Sequence, residues 1–463
     1  MAWYYSALML SFNNFINKIK QVKAGKKSRA AASGAPPLIV PRADHNISRK
    51  LISPSALKVL NTLREAGFEA YLVGGCVRDL LLGYEPKDFD ISTNALPEQV
   101  HKLFRRSRLI GRRFKLVHVR FGRDEIIEVA TFRAPPEAEN QIDGRIMQDN
   151  VYGTLEQDAW RRDFTINALY YNIADFTIVD YTGGIADLQQ GLIRLIGDKK
   201  VRYREDPVRM LRALRFMAKL GLKLESETET LISELAPLLS DIPPARLFDE
   251  TLKLYMSGQA AMTHELLCHY GVFDYLYPQT AALLHQQVDD YPRTLLMKAL
   301  QNTDKRLADN KPVTPAFLFA ALLWEPLRQR WQQLSQQMPE IPAMQRAAGE
   351  VLSEQIQTVA IPKRFSLVTR DIWTLQPRLT RRQGKRAFAL LLHPKFRAGY
   401  DFLALRAEAG EPLQELTDWW TQFQQASATE QAEMVNALGK NDGEPKRRPR
   451  RRRRRKPAAK RED

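Results

Sequence analysis

Between Leu72 and Thr93 the chain reads LVGGCVRDLLLGYEPKDFDIST, and this stretch leaves few folds open. An apolar run ends at Gly74-Gly75, one or two helical turns follow, and a run alternating at period two closes the segment. On a strand, residues two apart face the same way. Asp88 and Asp90 therefore share one face, while Phe89 and Ile91 enter the core. Two carboxylates this close repel, and one would hold its proton unless a cation lay between them. A divalent ion meets that need, since Mg²⁺ takes hard oxygen ligands and keeps water or phosphate oxygens for the rest of its shell. Gly74-Gly75 lets the backbone approach a bulky anion, and the helix after it turns N–H groups and its positive end toward phosphate. Arg78, in the first helical turn, is within reach of the same oxygens. Singly these parts are weak, because a diglycine is often a turn and Asp-x-Asp often a solvated strand end. Their order and spacing predict a nucleotide site facing metal ligands. There is no GxxxxGK(S/T) loop, so P-loop chemistry is not indicated.

The surrounding pattern predicts an α+β chain. Ser53 caps and Pro54 opens a helix in which Leu57, Leu60 and Leu63 recur at helical spacing before Gly67. PEQVHKLFR is a short helix. KLVHVRFG and EIIEVATF are strands joined by a turn around Gly122-Arg123-Asp124, and FTIVDY and LIRLIG are later strands. After Gly197 strand signals stop. Asp206-Pro207 opens a helix running to Gly221, and the pattern stays helical to about residue 425. No solenoid-length repeat occurs. The expected layout is a basic flexible leader over 1–50, a mixed-sheet head over 51–197, a helical neck over 198–260, a helical body over 261–425 and a disordered arginine-rich tail over 426–463.

Charge sharpens that layout. The 463 residues carry a formal net charge of +17. Residues 1–50 account for +8 and residues 446–463 for +10, so the intervening body is within one charge of neutral. The body is itself uneven, because residues 361–407 hold eleven Lys/Arg against two acids. Two cysteines, Cys76 and Cys268, exclude a disulfide framework or a Cys-rich zinc module and point to a reducing, cytoplasmic setting. His264, Cys268 and His269 in THELLCHY lack the usual zinc spacing and a fourth ligand, and read as a helix with surface histidines. No apolar run reaches the ~18–20 residues that cross a bilayer. MAWYYSALMLSF is followed, not preceded, by its lysines, the wrong order for a signal peptide. It reads as a short amphipathic or disordered leader, with peripheral membrane contact as a weaker option.

A two-metal phosphoryl site wants a third carboxylate. Glu128 in EIIEVATFR would be an inward acid beside the aspartate pair. Asp163 in RRDFTINAL is the other candidate, and would otherwise be a helix cap. Local sequence does not separate the two.

LVGGCVRDLLLG, PKDFDIST, EVATFR, RRDFTINAL and EDPVRMLRALRF resemble the successive motifs of the class II nucleotidyltransferases, the group that contains CCA-adding enzymes and bacterial poly(A) polymerases. The resemblance covers residues 70–220 almost without gaps. It implies a polymerase-β-type head followed by an all-α neck and body. It further implies two Mg²⁺ ions (or Mn²⁺) on Asp88 and Asp90, with Asp163 as the third acid and Glu128 its rival as a metal ligand. Gly74, Gly75 and Arg78, together with Arg162, would hold the triphosphate. Glu205, Asp206 and Arg209 would contact the incoming base, with Arg212 three residues on along the same face; Asp and Arg together offer acceptors and donors to a base edge.

Three features favour the poly(A) polymerase branch. Residues 361–407 resemble the C-terminal part of those enzymes. The arginine tail suits an enzyme that binds many RNAs through phosphate alone. No His-Asp dipeptide marks the phosphohydrolase extension of some CCA enzymes. The expected activity is template-independent addition of AMP from ATP to RNA 3′ ends, with pyrophosphate released. Lys363, Arg364, Arg381, Arg382, Lys385, Arg386, Lys395 and Arg397 are the expected RNA contacts, interleaved with Trp373, Phe388, Phe396 and Tyr400. Arg105, Arg106, Arg112, Arg113 and Lys115 are candidates for steering RNA or triphosphate. Expected partners are ATP, single-stranded RNA 3′ ends and RNA-decay proteins, around a monomer. The alternatives are CCA addition to tRNA and, more remotely, an inactive RNA-binding protein, for which two adjacent costly acids would have no use.

Overall fold

Why the head is a sheet is visible in its central strands, where LVHVRF and EIIEVAT alternate apolar and polar residues at period two. The computed structural model describes residues 34–111, 115–122, 125–134, 141–142, 145–146, 151–286 and 291–441. Leader residues 1–33, Arg112, Arg113, the turn at Arg123-Asp124 and the arginine run after residue 441 lie outside the described residues.

The strands are β1 (Leu38–Val40), β2 (Ala70–Val73), β3 (Asp90–Thr93), β4 (Ser107–Ile110), β5 (Leu116–Phe121), β6 (Glu125–Thr131), β7 (Gln141–Ile142), β8 (Arg145–Ile146), β9 (Leu169–Asn172), β10 (Ile178–Asp180), β11 (Leu192–Ile193) and β12 (Lys223–Leu224). Eight of them form one sheet in the order β1-β10-β9-β2-β3-β6-β5-β4. All its neighbours are antiparallel except β3 and β6, which makes the sheet mixed. Helix Pro54–Glu65 starts as its Ser53-Pro54 cap predicts, with Ser53 Oγ accepting from Ala56 N at 3.0 Å. It buries Ala56, Val59, Leu60 and Leu63.

The chain divides into two compact units, one of residues 1–326 with 350–363 and one of 327–349 with 364–463. This corrects the expected boundaries. Residues 261–326, assigned from sequence to the body, join the first unit because helix Ala260–His269 packs on helices Val208–Leu220 and Pro244–Tyr255. His264 is a core residue of that packing rather than a surface one. Tyr255 Oη lies 3.2 Å from its Nδ1, and burial pushes its pKa down to about 4. The second unit is helical around Leu375, Leu379, Phe396, Leu403, Trp420 and Phe423.

Both chain ends hold more structure than their composition suggests. Residues 38–40 form an edge strand on Asp180–Ile178, so the described part of the leader (34–50) is not flexible linker. In the tail, residues 428–441 are helical. Ser427 and Glu430 form a capping box, with Ser427 N donating to Glu430 Oε2 at 2.7 Å and Glu430 N to Ser427 Oγ at 3.4 Å. Val435 then packs into the second unit's core.

Candidate active site

Strand pairing assembles a carboxylate row. β3 lies between β2 and β6, with Asp90 opposite Val73 on one side and opposite Glu128 on the other. Phe89 and Ile91 are buried and Asp88 and Asp90 open outward, the alternation expected from DFDI. Glu128 is likewise flanked by buried Ile127 and Val129, so register puts it on the face of Asp90. The sheet beneath desolvates the Asp90 carboxylate even though one side meets solvent. That burial, then the Glu128 charge, and lastly Asp88 push its pKa up to about 6, against the pull of Arg162. Nearby cations thus leave the row with uncompensated negative charge, and its donors are hard oxygens. Both properties fit Mg²⁺ or Mn²⁺. Among the described residues no three such side chains already converge on one point at ligating distance, so an ion and its phosphate ligands would complete the shell.

Asp163 is tied into a hydrogen-bond network of its own. Its carboxylate accepts from Arg212 Nε at 2.7 Å, from Phe164 N at 2.8 Å and from Asn167 Nδ2 at 3.3 Å. Burial, the largest single influence, would raise its pKa, but the Arg212 charge and hydrogen bond together with those from Phe164 N and Asn167 outweigh it and hold the group at about 2. Asn167 Oδ1 in turn accepts from Arg78 Nη1 at 2.6 Å. Arg78, Asn167, Asp163 and Arg212 thus form one hydrogen-bonded chain from helix Gly75–Leu81 to helix Val208–Leu220. Arg78 is only 2% exposed and also donates from Nε and Nη2 to Asp79 Oδ1, at 2.8 and 2.6 Å. Its guanidinium braces the diglycine helix from within instead of reaching into solvent.

The diglycine itself is tight. Gly74 has φ +77, and a Cβ there would sit 3.4 Å from Arg162 Nη1 and 3.6 Å from Asn167 O. A side chain at this position would be strained as well as crowded. Arg162 lies beneath, its Nη2 donating to Ser92 Oγ and to Asp158 Oδ2, each at 3.1 Å, and its Nε to Tyr170 Oη at 3.0 Å.

The base-reading candidates are brought together, though not as one face. Glu205 Oε2 accepts from Arg202 Nη1 at 2.8 Å and Arg209 Nη1 at 3.0 Å. Asp206 Oδ2 accepts from Arg246 Nη2 at 2.7 Å. Arg209 and Arg212 are three residues apart yet turn to different acids, Glu205 and Asp163. Sequence reasoning missed Arg246, Asn167 and His118. Arg246 is 40 positions from its partner and follows only a Pro-Pro pair. Asn167 was signalled by an amide inside the apolar FTINALYY. His118 occupies the outward positions of KLVHVRF, and its Nε2 meets Glu128 Oε1 at 3.0 Å.

In the first unit Lys363, Arg105 and Arg106 are exposed, and Lys115 pairs with Glu98 at 3.4 Å. In the second unit Arg364, Arg381, Lys385, Arg386 and Arg397 are exposed, and Lys395 is half-buried. Arg381 faces Glu340 and Arg382 faces Glu415, both at 3.5 Å, while Arg397 pairs with Asp401 at 2.9 Å. Trp373 and Phe396 are buried and Phe388 and Tyr400 pack against the core, so these aromatics serve packing.

Three family descriptions match the chain. They are the poly A polymerase head domain over residues 70–194, the probable RNA and SrmB-binding site of polymerase A over 221–284, and the polymerase A arginine-rich C-terminus over 336–456. Poly(A) polymerase I of Escherichia coli O6:H1 is 50% identical, the match covering 97% of this chain and 99% of that protein. The CCA-adding enzyme of Lactobacillus helveticus is 43% identical over 43% of this chain and 49% of its own length. Among solved structures, the Bacillus stearothermophilus CCA-adding enzyme in complex with CTP superposes with a TM-score of 0.54 at 27% identity, covering 80% of this chain and 82% of that one. That agrees with a polymerase-β-type mixed-sheet head followed by helices. The strand order, the carboxylate row and a near full-length relative agree, and the chain belongs to the bacterial poly(A) polymerase family of nucleotidyltransferases.

Proposed function

We propose that this protein adds AMP from ATP to RNA 3′ ends without a template and releases pyrophosphate. The observation that carries this reading is the 50% identity to a poly(A) polymerase I over 97% of the chain, arginine-rich C-terminus included. Likeness to the CCA-adding relative stops at 43% of the chain.

Asp88, Asp90 and Glu128 hold the divalent ions in this reading. Mg²⁺ bound there would acidify the RNA 3′-hydroxyl and offset charge on the departing pyrophosphate. Every other part is the chain's own. Gly74 and Gly75 let the triphosphate lie against backbone, with Arg162 beneath it. Arg78 and Asn167 fix the helix that presents those amides. Asp163 acts as a positioning residue between Asn167 and Arg212. Glu205 and Arg209, with Asp206 oriented by Arg246, present donors and acceptors to the adenine edge. Lys363, Arg364, Arg381, Arg382, Lys385, Arg386, Lys395 and Arg397 bind RNA phosphate without reading sequence.

Incubation with ATP, CTP and an unstructured RNA should give long A-tails. Addition of only C, C and A to tRNA would overturn the reading in favour of CCA addition. The base contact has its own test. Arg246→Ala frees Asp206 and should raise the KM for ATP about tenfold, the effect of a partly exposed charged hydrogen bond of ~1.4 kcal/mol, with kcat changed less. An unchanged KM in steady-state kinetics removes Arg246 from base recognition.

The remaining partners are also proposals. The match to a probable RNA and SrmB-binding site over 221–284 supports contact of this region with RNA and with an SrmB-type partner. A reducing, cytoplasmic setting fits two free cysteines, Cys76 and Cys268. No helix among the described residues is long and apolar enough to cross a membrane.

A further inference from the structure

The carboxylate row does not end at Glu128. β5 pairs antiparallel with β6, and His118 stands opposite Glu128. Asp90, Glu128 and His118 therefore lie side by side on three adjacent strands and one face. His118 Nε2 is 3.0 Å from Glu128 Oε1. An ionised carboxylate only accepts, so that nitrogen carries the proton and donates. The imidazole is 25% exposed, while the Glu128 side chain is 49% exposed and, among the described residues, is held on the sheet face by this contact. A glutamate that open has several rotamers to lose, and one hydrogen bond from a stiff ring removes much of that freedom.

We infer that His118 is a positioning residue that holds Glu128 Oε1, leaving Oε2 turned toward Asp90 for the divalent ion. The inference rests on Glu128 being a metal ligand. It assigns His118 no proton transfer and no contact with substrate. Partners that orient a ligating side chain are typically worth 10–100-fold in metal affinity. Glutamine carries an N–H at about the reach of Nε2 and should restore the contact, whereas alanine cannot.

The test is Mn²⁺ titration of the full-length protein, free ion being followed by electron paramagnetic resonance, with folding checked by circular dichroism. His118→Ala should weaken Mn²⁺ binding 10–100-fold, His118→Gln should stay within about threefold of wild type, and Glu128→Gln should weaken it at least as much as His118→Ala. If Glu128→Gln weakens binding and His118→Ala does not, the positioning role is wrong while the Glu128 assignment stands. If Glu128→Gln binds Mn²⁺ as wild type does, the Glu128 assignment fails and the role of His118 falls with it. If His118→Gln is as weak as His118→Ala despite a native spectrum, ring packing and not the hydrogen bond is responsible, and the inference is overturned.

Discussion

Asp90→Asn should lower AMP incorporation by on the order of 10³-fold or more at saturating ATP and RNA, with the fold intact. A thousandfold is about 4 kcal/mol of transition-state stabilisation, within the several kcal/mol that a metal-held charge supplies. Asparagine keeps the shape and loses the charge, so β3 should pair as before. The same change relieves Asp90 of its repulsion with Glu128 and Asp88, the charges that help push it to about 6. Loss of activity should therefore come with an unchanged or higher melting temperature. A variant that is both unstable and inactive would show Asp90 to be structural. One that keeps wild-type kcat would place the site elsewhere.

The second large effect belongs to Arg212. Its guanidinium holds an Asp163 side chain that is 13% exposed. Arg212→Ala strands that carboxylate in the interior, and breaking such a pair costs about 3–5 kcal/mol. Urea unfolding should show a loss of unfolding free energy of that size, whereas Asp163→Asn, Arg212→Ala together should recover part of it. The pH dependence has a definite sign. Asp163 is held at about 2 in the fold, below its unfolded value near 4. Its contribution is complete above about pH 5 and is lost as pH falls toward 2, on the order of 2–3 kcal/mol. The stability gap between wild type and Asp163→Asn should close over that range. A constant gap would mean that the ion pair contributes nothing measurable.

Much of this was legible locally. The alternation that buries Phe89 and Ile91 and exposes Asp88 and Asp90 needed only the period of a strand, although β3 itself begins at Asp90, and the Ser53-Pro54 helix start needed only its cap. What escaped was decided by pairing between distant segments. The choice of third acid is an instance: EIIEVATFR and RRDFTINAL both offer one, and the β3–β6 register that sets Glu128 beside Asp90, and so favours Glu128 in the proposed reading, is visible in neither segment alone. β1 and β4, the two edge strands, escaped because Leu-Ile-Val and Ser-Arg-Leu-Ile carry no alternation of apolar and polar residues. The tail helix is different. Its Ser427–Glu430 box was present in the sequence, and surrounding polar residues masked it.

One pairing carries a consequence for synthesis. β3 and β6 are the parallel neighbours in the sheet, and parallel strands need a crossover, here helix Pro97–Leu103 with β4 and β5. Asp90 and Glu128 thus stay apart until a long loop closes, and closing it demands entropy before any strand contact rewards it. A nascent chain that has released Asp88 and Asp90 but not yet Thr131 has no assembled carboxylate row. In the proposed reading, in which that row holds the divalent ions, the growing polypeptide is thereby kept from acting on nearby RNA until the head has folded.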